Sequence, residues 1–365
     1  MAESELFQKC ARLFMVGFPG KTPTDEVLKL IDDGVYGVIL FSRNIDGAEQ
    51  VSSLISKLKL RARRPLALAV DQEGGRVARL RGEPFTDFPS MRAIAAAGDT
   101  ALAARVGTLL AYELRSVGFD WDFAPVLDVD TNPQNPVIGD RSFSREADLV
   151  ARMGVALGRA LEAGGIASCG KHFPGHGDTS QDSHLTLPRL KHDLARLNAV
   201  ELLPFAAWAK AGLSSVMTAH VVFEALDADV PATMSGKVLH GLLRQTLAYT
   251  GVVVSDDLEM KAIAANYGIE DAVVKGVLAG VDLFLVCQDA AIQRSAISAL
   301  EAAVKRGTVS TARLQQSLTR VDGLARRFVK SPKQLLARLG SPEHLALREG
   351  IPLKAALGAD PTERA

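Results

Sequence analysis

The sequence contains little cysteine, and its cysteines form no recognisable pattern. The 365 residues include only Cys10, Cys169 and Cys287, none of them in a C-x-x-C pair. An odd number of isolated cysteines fits neither a disulfide framework nor a zinc ribbon. We therefore predict three reduced thiols in the core, where free cysteine is usually buried.

Long apolar runs are also lacking. No run approaches the roughly 18 residues that a membrane-spanning helix needs. The first residues, Met1–Glu5, are acidic where a signal peptide would be basic. From these two observations we expect a cytoplasmic protein.

Charge of one sign is absent as well, because 42 lysines and arginines balance 42 aspartates and glutamates. This balance argues against nucleic acid, an anionic membrane or a polyanionic substrate as an obligate partner. With 47% hydrophobic and 23% charged residues, the composition is that of an ordinary globular protein. Specificity must therefore come from a local site, for which we expect a small-molecule ligand. We also expect no obligate protein partner and a monomer, two expectations that do not follow from the composition.

Eight short β-rich apolar runs alternate with segments of helical period, and this order predicts a parallel sheet. Runs such as Gly251–Val254 are almost continuously apolar, which indicates burial on both faces of the sheet. The eight runs are Arg12–Phe18, Val35–Phe41, Leu66–Asp71, Asp120–Val126, Ile166–His172, Ser214–His220, Gly251–Asp256 and Val281–Cys287.

A doubly wound open sheet has the same local pattern, but the strand ends favour a closed barrel. Several predicted strands end in polar residues, at Asp71, His172, His220 and Asp256, rather than in one Gly-rich phosphate turn. A barrel gathers all these ends around one mouth, where the active site lies. We predict an α/β fold with a single TIM-type (β/α)8 barrel over residues 1–330. Residues 331–365 would form a short C-terminal helical tail and not an independent domain.

The densest group of chemically active side chains lies in Lys171–His184, with three histidines, two aspartates and a lysine. A metal site is one interpretation, but Pro174 and the nearby glycines forbid the helix that would align two histidines on one face. A polar loop that satisfies its own hydrogen bonds is another. Asp182 and His184 stand two apart, so in an extended segment both side chains point to one side. The carboxylate could then fix the imidazole as a general acid/base.

The second group follows the buried strand that ends at Asp256. A carboxylate at such an exit is costly unless it is hydrogen-bonded or functional. An N-cap for the next helix suits Asp257. Asp256 then faces the barrel mouth and is the better candidate nucleophile.

Two further motifs place acids and bases near the rim. Asp71 in DQEGGRV could accept hydrogen bonds from two substrate hydroxyls, or it could form a structural ion pair with Arg79. Arg141 in GDRSF is either a substrate clamp or a loop staple to Asp140.

Three more motifs are KHFPGHG at Lys171–Gly177, DSH at Asp182–His184 and SDDL at Ser255–Leu258. Together with DQEGGRV and GDRSF, they closely resemble the motifs of the family 3 glycoside hydrolases. Within that family the chain is similar to the NagZ-type β-N-acetylglucosaminidases of bacterial cell-wall recycling. The resemblance covers roughly residues 5 to 330.

The resemblance implies Asp256 as nucleophile, His184 as acid/base and Asp182 as its partner. It also implies a substrate with N-acetylglucosamine β-linked to N-acetylmuramic acid or its anhydro form, with no metal and no organic cofactor. The residues that it implies as contacts of the terminal sugar are Asp71, Arg79, Arg141, Lys171 and His172.

Other functions remain open from the sequence. Phosphate could replace water in the second step, which would give an N-acetylglucosaminide phosphorylase. Lys171 at a strand end permits a Schiff-base lyase or aldolase. A noncatalytic sugar-binding protein is a third class, which would turn over no aryl glycoside.

Overall fold

A computed structural model of the chain describes residues 4–96, 99–180, 187–331, 335–351 and 360–362. The strands in these ranges are labelled β1 to β10 in chain order. They are Phe14–Val16, Gly37–Leu40, Ala67–Val70, Trp121–Asp122, Cys169–Phe173, Arg189–Leu190, Ser215–Thr218, Val222–Phe223, Val252–Asp257 and Leu283–Val286.

Eight of these strands form one sheet in the order β4-β3-β2-β1-β10-β9-β7-β5, and every neighbouring pair is parallel. The two ends of this sheet meet through parallel bridges between Trp121 and Ala167 and between Val126 and Lys171. The Asp122 N–H also donates to the Ala167 carbonyl over 3.0 Å. The sheet is therefore closed, and the predicted (β/α)8 barrel is confirmed. Strands β6 and β8 form a separate two-stranded parallel sheet.

The α-helices in the described ranges are labelled α1 to α13. They are Glu5–Ala11, Asp25–Asp33, Ala48–Arg61, Met91–Ala96, Thr100–Val117, Ala147–Ala163, Leu194–Ala199, Leu202–Lys210, Lys261–Ala264, Ile269–Ala279, Ala290–Lys305, Thr311–Phe328 and Pro342–Arg348. Lys237–Thr246 forms a π-helix, and short 3-10 helices span Ser42–Asn44, Gly139–Arg141, Ala232–Met234 and Leu336–Arg338. None of the described helices is long and apolar enough to cross a membrane.

Helix α2 shows how local sequence sets these elements. The Thr24 hydroxyl caps it by accepting from the Val27 N–H. Val27, Leu30 and Ile31 lie on one face at helical spacing and are buried against the barrel. The helix ends at Gly34, whose φ of 94° is readily accessible only to glycine.

The core fills the barrel and the layer between the strands and the helices. Val253 and Val254 of β9 are fully buried, as the apolar run predicted. The three cysteines are buried and unpaired, which confirms the prediction of core thiols.

Residues 335–351 pack on α5. His344 of α13 is fully buried, stacks on Tyr112 and lies 2.8 Å from a carboxylate oxygen of Glu113. Glu113 in turn accepts from the Thr86 backbone and hydroxyl. The tail is thus joined to the loop that follows β3, although its division from the barrel at residue 330 stays a prediction.

Candidate active site

A pocket of about 610 Å³, partly open to solvent, lies at the carboxyl ends of the barrel strands. Its polar lining includes five of the predicted site residues, carried by β5, β9 and the loops after β3 and β4. The full lining is Ile39, Phe41, Asp71, Phe123, Val137, Arg141, Lys171, His172, His176, Met217, Asp256, Asp257, Met260, Leu285, Cys287 and Thr362.

A tight glycine turn folds the loop after β3 back onto the pocket floor. Gly74 and Gly75 both have positive φ, at 92° and 58°. A Cβ on Gly74 would lie 2.5 Å from the Pro89 carbonyl oxygen, so no larger residue fits without a shift. The turn places the Asp71 and Glu73 carboxylates in or just below the pocket.

Glu73 is the centre of a buried charge cluster. Its carboxylate accepts two hydrogen bonds from the Arg141 guanidinium, over 2.8 and 2.9 Å, and lies 2.7 Å from Lys171 Nζ. Burial alone would raise the pKa of Glu73, but the two cations outweigh it and hold the pKa well below the usual range. Arg141 is therefore positioned by Glu73. The alternative of a staple to Asp140 is wrong, because Asp140 pairs with Arg76.

Lys171 lies between two carboxylates. Its ammonium group is 2.8 Å from Asp71 and 2.7 Å from Glu73. Burial would lower the pKa of Lys171, but Asp71 and Glu73 raise it above the usual value. The amine is therefore protonated at neutral pH, and this argues against the Schiff-base alternative, which needs a free amine.

His172 is held by a carboxylate that the sequence analysis missed. Asp128, in the loop after β4, lies 2.7 Å from His172 Nδ1 and also accepts from the His172 and His176 backbone N–H groups. Burial would raise the pKa of Asp128, yet His172 and His176 bring it below the usual value. Asp128 thus fixes the orientation of the ring that lines the pocket.

His176 packs edge-on against His172, with 5.9 Å between the ring centroids. Burial, and then the charge of His172, lower the pKa of His176 to about 4. Its Nδ1 lies 2.8 Å from the Thr179 hydroxyl. His176 is therefore a neutral residue in the pocket lining at physiological pH. Among the residues that the structure describes, no three His, Cys, Asp or Glu side chains are grouped to hold a metal ion.

Asp256 and Asp257 end strand β9 with different surroundings. Asp256 is half-buried, and its Oδ1 accepts from the Asp257 N–H over 2.8 Å. Asp257 is buried and accepts from the backbone N–H groups of Glu259 and Cys287. The prediction that Asp257 caps the following helix is wrong, because α9 begins after Met260 and has no side-chain cap.

Burial, together with the charges of Glu259 and Asp256, raises the pKa of Asp257 to about 8. Of two adjacent carboxyls, the buried one thus holds its proton at neutral pH, while Asp256 faces the pocket. Different environments can give two neighbouring carboxyls different chemical roles.

We expect Asp257→Asn to change the pH dependence of stability. A folded pKa above the unfolded value stabilises the fold at acid pH, and this contribution is lost as pH rises from about 4 to about 8. Asparagine mimics the neutral acid at every pH. We therefore expect the free energy of unfolding of the variant, relative to that of the unsubstituted chain, to increase by a few kcal/mol between pH 5 and pH 9. Urea unfolding at pH 5, 7 and 9 measures this difference. A difference independent of pH would contradict this assignment.

The remaining predicted residues lie outside the lining. Arg79 stands behind Asp71, with 3.6 Å between Nη2 and the carboxylate, so the proposed Arg79–Asp71 ion pair is present but long. Asp182 and His184 lie outside the described residues. The position of the acid/base relative to Asp256 therefore stays a prediction.

Comparison with known proteins identifies the family. The glycosyl hydrolase family 3 N-terminal domain matches residues 5–324. The chain belongs to this family. The predicted resemblance is thereby confirmed.

Relatives agree with this assignment. The chain is 43% identical over 271 residues to a β-hexosaminidase of Neisseria meningitidis serogroup C, covering 72% of this chain and 74% of that one. It is 38% identical over 360 residues to β-hexosaminidase A of Pseudoalteromonas piscicida. That match covers 90% of this chain but spans 60% of the length of the relative.

Among solved structures, NagZ from Neisseria gonorrhoeae in complex with N-trifluoroacetyl-D-glucosamine is 33% identical with a TM-score of 0.76. The match covers 93% of this chain and 96% of that one. The predicted class, a glycoside hydrolase of the β-N-acetylhexosaminidase type, is confirmed by the family and by these relatives.

Proposed function

We propose that the chain is a retaining β-N-acetylglucosaminidase. It would remove nonreducing-end N-acetylglucosamine from β-1,4-linked (anhydro)muramyl saccharides and muropeptides, in the cytoplasm, as a step of peptidoglycan recycling. The observation that carries the proposal is the convergence of Asp256 with Asp71, Arg141, Lys171 and His172 on one pocket. The hexosaminidase relatives, and an N-acylglucosamine in the gonococcal structure, support the substrate class.

The sugar would be held by the charged residues of the floor. Asp71 accepts from two hydroxyls of the sugar, while Lys171 and Arg141 donate to its oxygens. Both cations are already held by Glu73 over 2.7 to 2.9 Å, so they need little reorganisation when the sugar binds. His172, fixed by Asp128, adds a further hydrogen bond.

The reaction would proceed by double displacement. An Asp256 oxygen attacks C1, the bond from C1 to the leaving oxygen breaks, and His184 as imidazolium gives that oxygen its proton. Neutral His184 then takes a proton from water, the water oxygen attacks C1, and the ester to Asp256 breaks. Asp182 would support the charge that forms on the imidazole.

The first test is release of an aryl group from an N-acetyl-β-glucosaminide by the full-length chain, with and without EDTA. We expect release that EDTA does not affect. Analysis of the sugar product with phosphate present would separate a hydrolase, which gives free N-acetylglucosamine, from a phosphorylase, which gives the 1-phosphate. Absence of release, or its loss with EDTA, would contradict the proposed function.

A leaving-group comparison tests the role of His184. General acid catalysis contributes about 10²- to 10⁴-fold, so His184→Ala should lose activity of that order on a glycoside of a poor leaving group. On a dinitrophenyl glycoside, which needs no proton on departure, formation of the glycosyl-enzyme should be nearly unaffected and appear as a burst. Equal losses with both substrates would argue against His184 as the acid.

A further inference from the structure

The last described segment, residues 360–362, contributes to the pocket wall. Thr362 lines the pocket together with Phe41, Asp257 and Cys287. The same four residues also line a neighbouring cavity of about 1040 Å³, whose other lining includes Arg43. Thr362 therefore stands between the two cavities.

Arg79 is the residue to which this segment is attached. Its side chain is fully buried and forms an ion pair with Asp360, whose side chain is 8% exposed. Arg79 Nη2 also donates to the Thr362 hydroxyl over 2.6 Å. Asp71 is more distant, at 3.6 Å, and is already bonded to Lys171 at 2.8 Å. Asp360 is thus the close countercharge of a buried cation, which is costly to leave unpaired.

Hydrogen bonds within the segment also hold its conformation. Asp360 Oδ1 accepts from both the backbone N–H and the hydroxyl of Thr362, over 2.8 and 2.7 Å. Pro361 between them is buried, and its ring restricts the backbone. These bonds set the orientation of Thr362 in the wall.

We propose that Asp360–Thr362 is a built-in part of the sugar-binding pocket. Thr362, with Phe41, closes the pocket on the side of the second cavity, and Asp360 positions Arg79 behind Asp71. This inference rests on the proposed function, since it concerns the same sugar site. It assigns a binding role to the chain beyond the region matched by the family domain, which ends at residue 324.

The contacts of the segment favour a wall over a plug that blocks the site. The described hydrogen bonds of Asp360 and Thr362 go to Arg79 and to each other. Arg79 lies behind the lining and not in it. A wall predicts that removal of the segment weakens binding, whereas a plug predicts that removal strengthens it.

Two truncations test the inference. One chain ends at Ala359 and lacks the segment, and its matched control ends at Thr362 and keeps it. For the chain that ends at Ala359 we expect KM for an aryl N-acetylglucosaminide to rise about tenfold, as for loss of one hydrogen bond to a charged group. Its kcat should change by less than about twofold, because the reacting groups stay in place. The control should match the full-length chain.

Point variants in the full-length chain guard against a folding defect. Asp360→Asn keeps an acceptor for the turn but removes the charge beside Arg79, and Thr362→Val removes the hydroxyl. Each should raise KM with little change in kcat while the cooperative unfolding transition is kept. Unchanged KM in all variants, or a lower KM after truncation at Ala359, would overturn the proposal. If the full-length chain releases no aryl group, the proposed function itself fails, which is a separate result.

Discussion

Asp256→Asn is expected to lower kcat for an aryl N-acetylglucosaminide by about 10⁴-fold or more, as for loss of a covalent nucleophile. The amide oxygen can still accept from the Asp257 N–H, which the Asp256 carboxylate accepts over 2.8 Å. The variant should therefore fold and bind sugar but form no glycosyl-enzyme. The measurement is the steady-state rate together with the affinity for N-acetylglucosamine.

The matched control is Asp257→Asn, one residue further along the same strand. Because Asp257 is buried with a raised pKa and is hydrogen-bonded to backbone, the neutral amide replaces a group that is already neutral at pH 7. We expect it to lose no more than about tenfold in kcat, far less than removal of a nucleophile costs. Comparable losses in the two variants would mean that the roles of the pair are wrongly divided.

An activated fluorinated N-acetylglucosaminyl donor would give direct proof of the nucleophile. Slow turnover should leave the sugar attached, and peptide mass analysis should place it on Asp256. If the 2-acetamido group acted as an internal nucleophile instead, no enzyme-linked sugar would form. The Asp256→Asn chain serves as the blank.

Glu73→Ala is expected to have the second largest effect, this time on stability. It leaves Arg141 and Lys171 buried without their shared carboxylate, and loss of one partner of a buried ion pair costs about 3–5 kcal/mol in the free energy of unfolding. Binding should weaken too, because both cations lose the contact that positions them. Denaturant unfolding and KM for the aryl substrate measure the two effects.

Two comparisons make this result specific. Asp140→Ala breaks the half-exposed pair with Arg76 in the same region and should cost less than about 1 kcal/mol. Glu73→Ala combined with Lys171→Met removes opposite charges together, and it should be more stable than the sum of the single losses predicts. Additive losses would show that Glu73 does not act through Lys171.

The strands and the strand-end residues could be predicted because both depend on local pattern. Every apolar run overlaps a barrel strand and is as long as that strand or longer, although β5 and β9 each end one residue beyond their run. Strand β4 is the extreme case, since only Trp121 and Asp122 pair regularly and the barrel closes through isolated bridges. The length of an apolar run reflects how many consecutive residues are buried. The length of a strand depends instead on how many of those residues form hydrogen bonds with the neighbouring strands.

The partners of the predicted site residues could not be found in the same way. Glu73 lies in the DQEGGRV motif, yet its pairing with Arg141 spans 68 positions and depends on contact between the loops that follow the neighbouring strands β3 and β4. Asp128 stands among several acids after the fourth strand, and nothing in the sequence distinguishes the one that holds His172. Asp360 and Thr362 lie in a tail without strong periodicity, so their return to the pocket is visible only in three dimensions.

The charges around the pocket have a further consequence for how a ligand arrives. Arg79, Lys171 and Arg141 are matched by Asp71, Glu73 and Asp360 at short range. Fields of paired charges fall off quickly with distance, and buried pairs are little screened by salt. These three pairs therefore contribute almost no long-range field, so they should neither attract nor repel a charged aglycone before it reaches the pocket.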